Sequence, residues 1–534
     1  MKKQTIFFAA LLIYSLITIF TYKYERLLGD TILLLDIAEK YVRGDFWDAV
    51  NGMWGPLFSW LLIPFLYFGS SHVFAVNALH VIIGCLIIAG VRRLSFRFEM
   101  SDGVRNIILL CMVPILLYAS LIAPHDFVLL CILVYYLSIV FKEDYPDRVQ
   151  NGIMSGALGS LAYFAKPFGF PFFISHFLMI NILHYFKAGT KPLRKNILRN
   201  LVAGMALFAV ISSFWIILLS TKYNYLTFST AGRHNFAILG PEAKGEGKEK
   251  GLPIFTGGFF EPPNKTASVV WEDATYLNVK SWSPLESWSY FKYFISRIIF
   301  KNLSQLIKIL GGSFSQLAVA IIVMAVLLCI GPVKELLTRK SVLVFPLTTM
   351  ALYAGGYGVM HYEPRYLWIV NILLLLMGGH LMNILFRNEF FNRTRKNTLI
   401  VFFALSFLVV PVRYVIHRGD TGERIHNLAS VLKNRYNIQG KIASNREYVS
   451  TNEAWYNSYR LTYFLKTRYY GQAKENISDS ELESELKKFD IDYYLVWGNH
   501  PDIPDFLSKY KEVTGGEIPG LKIYSLKEGA TDSR

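Results

Sequence analysis

Charged side chains embedded in apolar sequence are the first candidates for chemistry, because a charge near a bilayer costs free energy and usually has a partner or a function. Four such places stand out. The first is Gly29-Asp30-Thr31 followed by Asp36-Ile-Ala-Glu39. Carboxylates at 36 and 39 fall on one face of a helix, and Asp30 just precedes it, where a carboxylate is either an N-terminal cap or a base. The plainer reading is a set of solvated loop acids. The second is Ala123-Pro124-His125-Asp126, where the dipole of the following helix favours an ionised Asp126, as a plain cap or as a working acid. The third is Lys166-Pro167, an ammonium able to meet a phosphate or simply to snorkel. The fourth is His361-Tyr362-Glu363-Pro364-Arg365-Tyr366-Leu367. The planar fork of Arg365 suits bidentate phosphate binding with Glu363 orienting it, unless the two form only an internal pair.

What must position these groups is a set of membrane helices. Of the 534 residues 53% are hydrophobic and only 18% are charged, against about 25% in a soluble domain. The deficit comes from apolar runs near the ~20 residues that cross a bilayer. Candidate spans are 5–22, 56–68 with 72–91, 104–122, 126–141, 151–166, 169–186, 201–220, 314–332, 341–359, 365–386 and 398–416. The stretch 56–68 is too short to span comfortably, which leaves about eleven spans. The first run follows Lys2-Lys3 without a small-residue cleavage site and reads as a retained span.

With Lys2 and Lys3 in the cytoplasm, the positive-inside rule places Arg92, Arg93 and Arg97, then Lys187 to Arg199, Lys334 to Lys340, and Arg387 to Lys396 on the same side. Only the loop 142–148 is not net basic. All four charged places then fall on the outer face, as does the C-terminus.

The expected fold is therefore all-α in the membrane over 1–416, with large outer loops at 23–55 and 221–312, and a small extracytoplasmic α/β domain over 417–534. In the second outer loop, Gly240 to Gly251 reads as a mobile, solvated segment. Tyr290 to Leu310 reads as an amphipathic interfacial helix with Arg297, Lys301 and Lys308 on one face. In the C-terminal stretch, 441–444, 492–497 and 521–526 read as strands. Helices are expected at 478–489, with Ser478 a possible N-cap, and at 504–511.

The net charge of +16 sits in short clusters between apolar runs, which points to topology and anionic lipid headgroups, and not to nucleic acid. The four cysteines lie inside apolar runs, which argues against a disulfide framework or a cysteine-ligated metal.

The pattern resembles the polyprenyl-phosphate-sugar-dependent membrane glycosyltransferases of the GT-C fold, a group that includes protein O-mannosyltransferases and aminoarabinose transferases. The resemblance rests on Asp30 opening the first outer loop, a helical stretch ending near Gly44, and Pro56-Leu57-Phe58 leading to Pro64-Phe65-Leu66. It also rests on Pro124-His125-Asp126, on Lys166, and on Glu363-Pro364-Arg365-Tyr366-Leu367. Two departures accompany it: Asp30-Thr31 where the group often has Asp-Glu, and Trp54-Gly55-Pro56-Leu57 where it has Lys-Pro-Pro-Leu or His-Pro-Pro-Leu.

The resemblance implies an inverting transfer from a polyprenyl-phosphate-linked sugar to a hydroxyl of a protein, lipid or glycan acceptor. Asp30 would be the general base, with Asp36 as fallback; Asp126 would position acceptor or sugar; Lys166 and Arg365 would stabilise the phosphate. Glu363 and Tyr366 would complete the substrate-binding set. No cofactor is certain. His125 and His361 are able to ligate a divalent metal, but two histidines without fixed spacing are more often structural. A transporter of lipid-linked glycans is the main alternative, yet the sequence shows no internal repeat and its charges cluster at one face. A non-catalytic scaffold would leave that clustering unexplained.

Overall fold

The computed structural model describes residues 2–27, 29–241, 257–277, 279–332, 336–337, 340–446, 453–498 and 503–527. Residues 242–251 of the glycine- and lysine-rich stretch lie outside these. Six described helices are long and apolar enough to cross a membrane: His72–Ser95, Asp102–Ser120, Gly169–Lys187, Lys191–Tyr223, Pro364–Leu385 and Arg393–Tyr436, the last including a polar outer extension. A seventh arises if Trp288–Phe314 and Ala318–Leu328, bent by 112°, are one span. The expectation of about eleven also counted shorter apolar helices such as Gln4–Phe20 and Pro124–Val140.

Small residues set the closest helix packing. A Cβ on Gly156 would lie 2.2 Å from the Gly204 carbonyl oxygen, and one on Gly204 would lie 2.6 Å from that of Gly152. Helices Val149–Ala165 and Lys191–Tyr223 therefore meet backbone to backbone, as small residues permit in membranes. Gly55 makes a similar approach to the last turn of Val149–Ala165, 2.4 Å from Phe164 O by the same measure. The loop that contains Gly55 is thus seated on the helix that ends just before Lys166.

The amphipathic helix expected at 290–310 is present within Trp288–Phe314. Arg297, Lys301 and Lys308 are exposed, while Ile298, Asn302 and Ile309 are buried. Its inner face holds the segment before Arg365: the Asn302 amide donates to the carbonyls of Gly358 and Met360 at 2.8 Å each, and Gln305 donates to that of Tyr362 at 2.6 Å.

The α/β part has one six-stranded sheet: β1 Gly258–Phe259, β2 Lys441–Ser444, β3 Arg468–Gln472, β4 Tyr493–Trp497, β5 Lys511–Glu512 and β6 Leu521–Ser525, in the order β1-β3-β2-β4-β6-β5. β2 runs parallel to β3 and β4, and the other pairings are antiparallel. The three expected strands are present, and the Ser478 hydroxyl caps its helix by accepting from Glu481 N at 3.3 Å. The helix expected at 504–511 is instead a 3-10 turn, Asp505–Lys509. Residues 511 and 512 leave it to pair with β6, which satisfies backbone groups that a longer helix would have kept. β1 comes from the long segment 221–312 and not from the C-terminal stretch.

Candidate active site

The four charged places converge. Helix Asp30–Arg43 begins at Asp30, Pro124–Val140 carries His125 and Asp126 in its first turn, Lys166 follows Val149–Ala165, and Arg365 lies on the turn Pro364–Leu367. Between them is a cavity of about 650 Å³ lined by Asp30, His125, Lys166, His361, Glu363, Arg365 and Tyr366 among others. A volume of this order suits a small organic ligand.

Arg365 is the hub. Its Nη1 donates to Asp30 Oδ2 at 2.5 Å, across 335 residues of chain, and its Nε donates to Glu363 Oε2 at 2.6 Å. Glu363 also accepts from the Tyr366 hydroxyl at 3.0 Å and lies 3.3 Å from His361 Nε2. Burial pushes the Glu363 carboxyl up, but the bond to His361 and the Arg365 charge outweigh it and hold the group well below the usual carboxylate range. It remains ionised and keeps Arg365 in place.

Lys166 forms the second pole. Its Nζ donates to Asp126 Oδ1 at 2.6 Å and stands 3.7 Å from the centre of the Tyr366 ring, a cation–π geometry. Tyr366 stacks on Tyr357 at 4.8 Å, and Tyr357 packs on Phe168 at 3.9 Å. Asp126 is 3% exposed and sits behind Lys166, not in the cavity wall. Three carboxylates thus share two cations, and Arg365 already commits Nη1 to Asp30 and Nε to Glu363.

Asp36, expected at the substrate site, does not line the cavity. It is buried, accepts from the Ser268 hydroxyl, and lies near the buried ion pair of Lys40 and Glu272. Burial and the Glu272 charge push its carboxyl up to about 8.

Several wall residues escaped the sequence reading: Phe168, Trp271, Tyr357 and Tyr456. Trp271 precedes Glu272-Asp273 and Tyr456 follows Trp455, so aromatic residues next to acids or to one another in outer segments were the available signal. The Trp54 indole nitrogen, His125 Nδ1, the Tyr357 hydroxyl and His361 Nδ1 are buried without hydrogen-bond partners among the described residues. All four belong to cavity-lining residues, and buried polar atoms in such a state are candidates to bind a polar ligand. Among the described residues no group of three or more His, Cys, Asp or Glu side chains is arranged to hold a metal ion.

Comparison by sequence finds no matching family model and no matching curated protein. Comparison by structure shows that the molecule has the GT-C fold. It matches the apo oligosaccharyltransferase of Archaeoglobus fulgidus at TM-score 0.55 and 11% identity, covering 93% of this chain and 69% of that one. The archaeal oligosaccharyltransferase AglB from Archaeoglobus fulgidus, in complex with an inhibitory peptide and a dolichol-phosphate, matches at TM-score 0.54 and 12% identity over the same shares. ArnT from Cupriavidus metallidurans aligns over 98% of this chain and 97% of its own, at TM-score 0.46 and 14% identity.

Proposed function

We propose that the protein is a membrane glycosyltransferase that moves a sugar from a polyprenyl-phosphate donor to an acceptor hydroxyl at the extracytoplasmic face. The observation that carries this reading is the meeting of Asp30, Lys166 and Arg365, from distant segments, on one cavity at the ends of membrane helices. The dolichol-phosphate bound by the archaeal neighbour of the same fold supports the donor class.

In this mechanism the donor phosphate takes the guanidinium of Arg365, with Lys166 nearby. Arg365 exchanges its Asp30 contact for the phosphate, since Glu363 holds its Nε edge. Asp30, released, accepts the proton of the acceptor hydroxyl. The hydroxyl oxygen bonds to the anomeric carbon as the carbon–oxygen bond to phosphate breaks. The bonding pair leaves with polyprenyl phosphate, and the anomeric centre inverts. Arg365 and Lys166 stabilise the charge that grows on the leaving group. Asp126 positions Lys166 from behind. The acceptor is a protein, lipid or glycan hydroxyl.

The test is turnover and binding of a short-chain polyprenyl-phosphate sugar by the purified full-length protein beside Asp30→Asn. Release of polyprenyl phosphate by the wild type, with binding but no release by the variant, supports the reading. Failure of both proteins to bind the lipid removes it and returns the transporter and scaffold readings to the front.

A further inference from the structure

A second cavity, of about 570 Å³, lies where the outer end of the membrane helices meets the sheet, and Tyr456 lines both cavities. Three arginines line this one: Arg418 beyond helix Arg393–Ile416, Arg424 in the first turn of Thr421–Tyr436, and Arg460 on Glu453–Leu465. Trp497 and Gly498 line it from the end of β4.

The positive charge here is under-matched. Arg418 lies 3.3 Å from the Glu25 carboxylate, which also accepts from the Gly422 backbone, and its Nη1 donates to the Tyr414 hydroxyl at 3.0 Å. Arg424 pairs with Asp420 at 3.1 Å, but the two side chains are 70% and 71% exposed, so water screens that pair. Arg460 makes no ion pair among the described residues, and the Nε atoms of Arg418 and Arg460 are buried without partners there. Burial pulls the Arg460 guanidinium below its ordinary value, Glu25 offsets only part of this, and Arg418 adds to the pull. Half-buried guanidinium groups short of partners, Arg460 above all, are costly unless an anion completes them. Their planar forks match phosphate and carboxylate oxygens, and the start of helix Thr421–Tyr436 adds a favourable dipole.

We propose that this cavity is an oxyanion subsite for the acceptor, holding a phosphate or carboxylate carried by that substrate while its reacting hydroxyl reaches past Tyr456 to Asp30. The proposal rests on the glycosyltransferase reading. It deepens that reading by making the preferred acceptor an anionic one.

The test measures equilibrium binding of glucose 6-phosphate, glucuronate and uncharged glucose to the full-length protein, beside binding of a short-chain polyprenyl phosphate. The expected result is that the charged sugars bind and glucose does not. Arg460→Gln and Arg424→Gln each weaken charged-sugar binding by roughly tenfold or more, with polyprenyl phosphate binding unchanged. The stronger of the two anions names the group recognised. Arg424 is exposed, so its variant keeps the test standing if Arg460→Gln does not fold. Glucose binding as well as the charged sugars, or wild-type binding in both variants, overturns the proposal. So does loss of charged-sugar binding in Arg365→Ala alone. Failure of the wild type to bind polyprenyl phosphate removes the glycosyltransferase reading instead, and leaves the arginine variants to decide whether the cavity binds anions.

Discussion

Asp30 and Asp36 stand on one helix, yet their surroundings are opposite. Asp30 borders the large cavity and is held by an arginine that a ligand could reach. Asp36 is sealed against Ser268, with the Lys40–Glu272 pair beside it; Asn264 donates to Glu272 Oε1 at 3.1 Å, and Asn51 donates to the Glu272 backbone carbonyl at 2.7 Å. Both sites join carboxylates to cations, but only the first leaves room for exchange. What separates the two carboxylates is access to the cavity and not charge.

The largest way to break this comparison is at Asp30. Asp30→Asn is expected to lower turnover by about 10²–10⁴-fold with the thermal midpoint little changed. Retained turnover would strip the cavity of its base. Next is the sealed site. Lys40→Met leaves Glu272 buried without its cation, and is expected to cost about 3–5 kcal/mol of stability. Denaturant unfolding would register it, while activity per folded molecule should hold. A turnover loss without a stability loss would make the sealed site catalytic.

Arg365 sharpens the contrast at intermediate size. Arg365→Ala should weaken donor binding by roughly tenfold, about 1.4 kcal/mol, and Arg365→Lys by less. Equal losses would argue against a bidentate phosphate contact. The smallest effect is at Asp36. Its carboxyl is raised to about 8 in the fold from an ordinary value of 3.8. Its contribution to stability is therefore full below pH ~4 and lost as pH rises through about 8. Asp36→Asn should remove that part of the pH slope, measured as thermal midpoint against pH, and leave turnover near wild type. An unchanged slope would show that Asp36 is ionised as usual.

The membrane half was legible in the sequence because length and hydropathy impose helices almost without tertiary context. The four charged places were legible for the same reason: each breaks an apolar run. Their pairing was not. Nothing local in Asp30 announces Arg365, and the Lys166–Asp126 pair spans 40 residues. Asp36 and Glu39 were placed correctly on a helix, but burial by Ser268 is a contact from 232 residues away. The outer part was read least completely. Strand β3 and helix Glu453–Leu465 lack the turn signals that mark their neighbours, and a two-residue strand such as β1 has no sequence signature at all.

That short strand has a consequence for how the molecule can be taken apart. Gly258 and Phe259 pair with Gln472 and Gly471, and Ser268 O accepts from Tyr469 N at 2.8 Å, so the second outer loop runs along β3. The fit requires glycine: at Gly471, with φ 123°, a Cβ would lie 2.5 Å from the Gly258 carbonyl oxygen. A fragment beginning at 417 would carry an open strand edge, the kind that recruits foreign chains. The part left behind would lose the strand that sets Ser268 against Asp36 and Trp271 in the cavity wall. Exchange of the outer domain between related proteins should therefore succeed only when residues 258–269 travel with it.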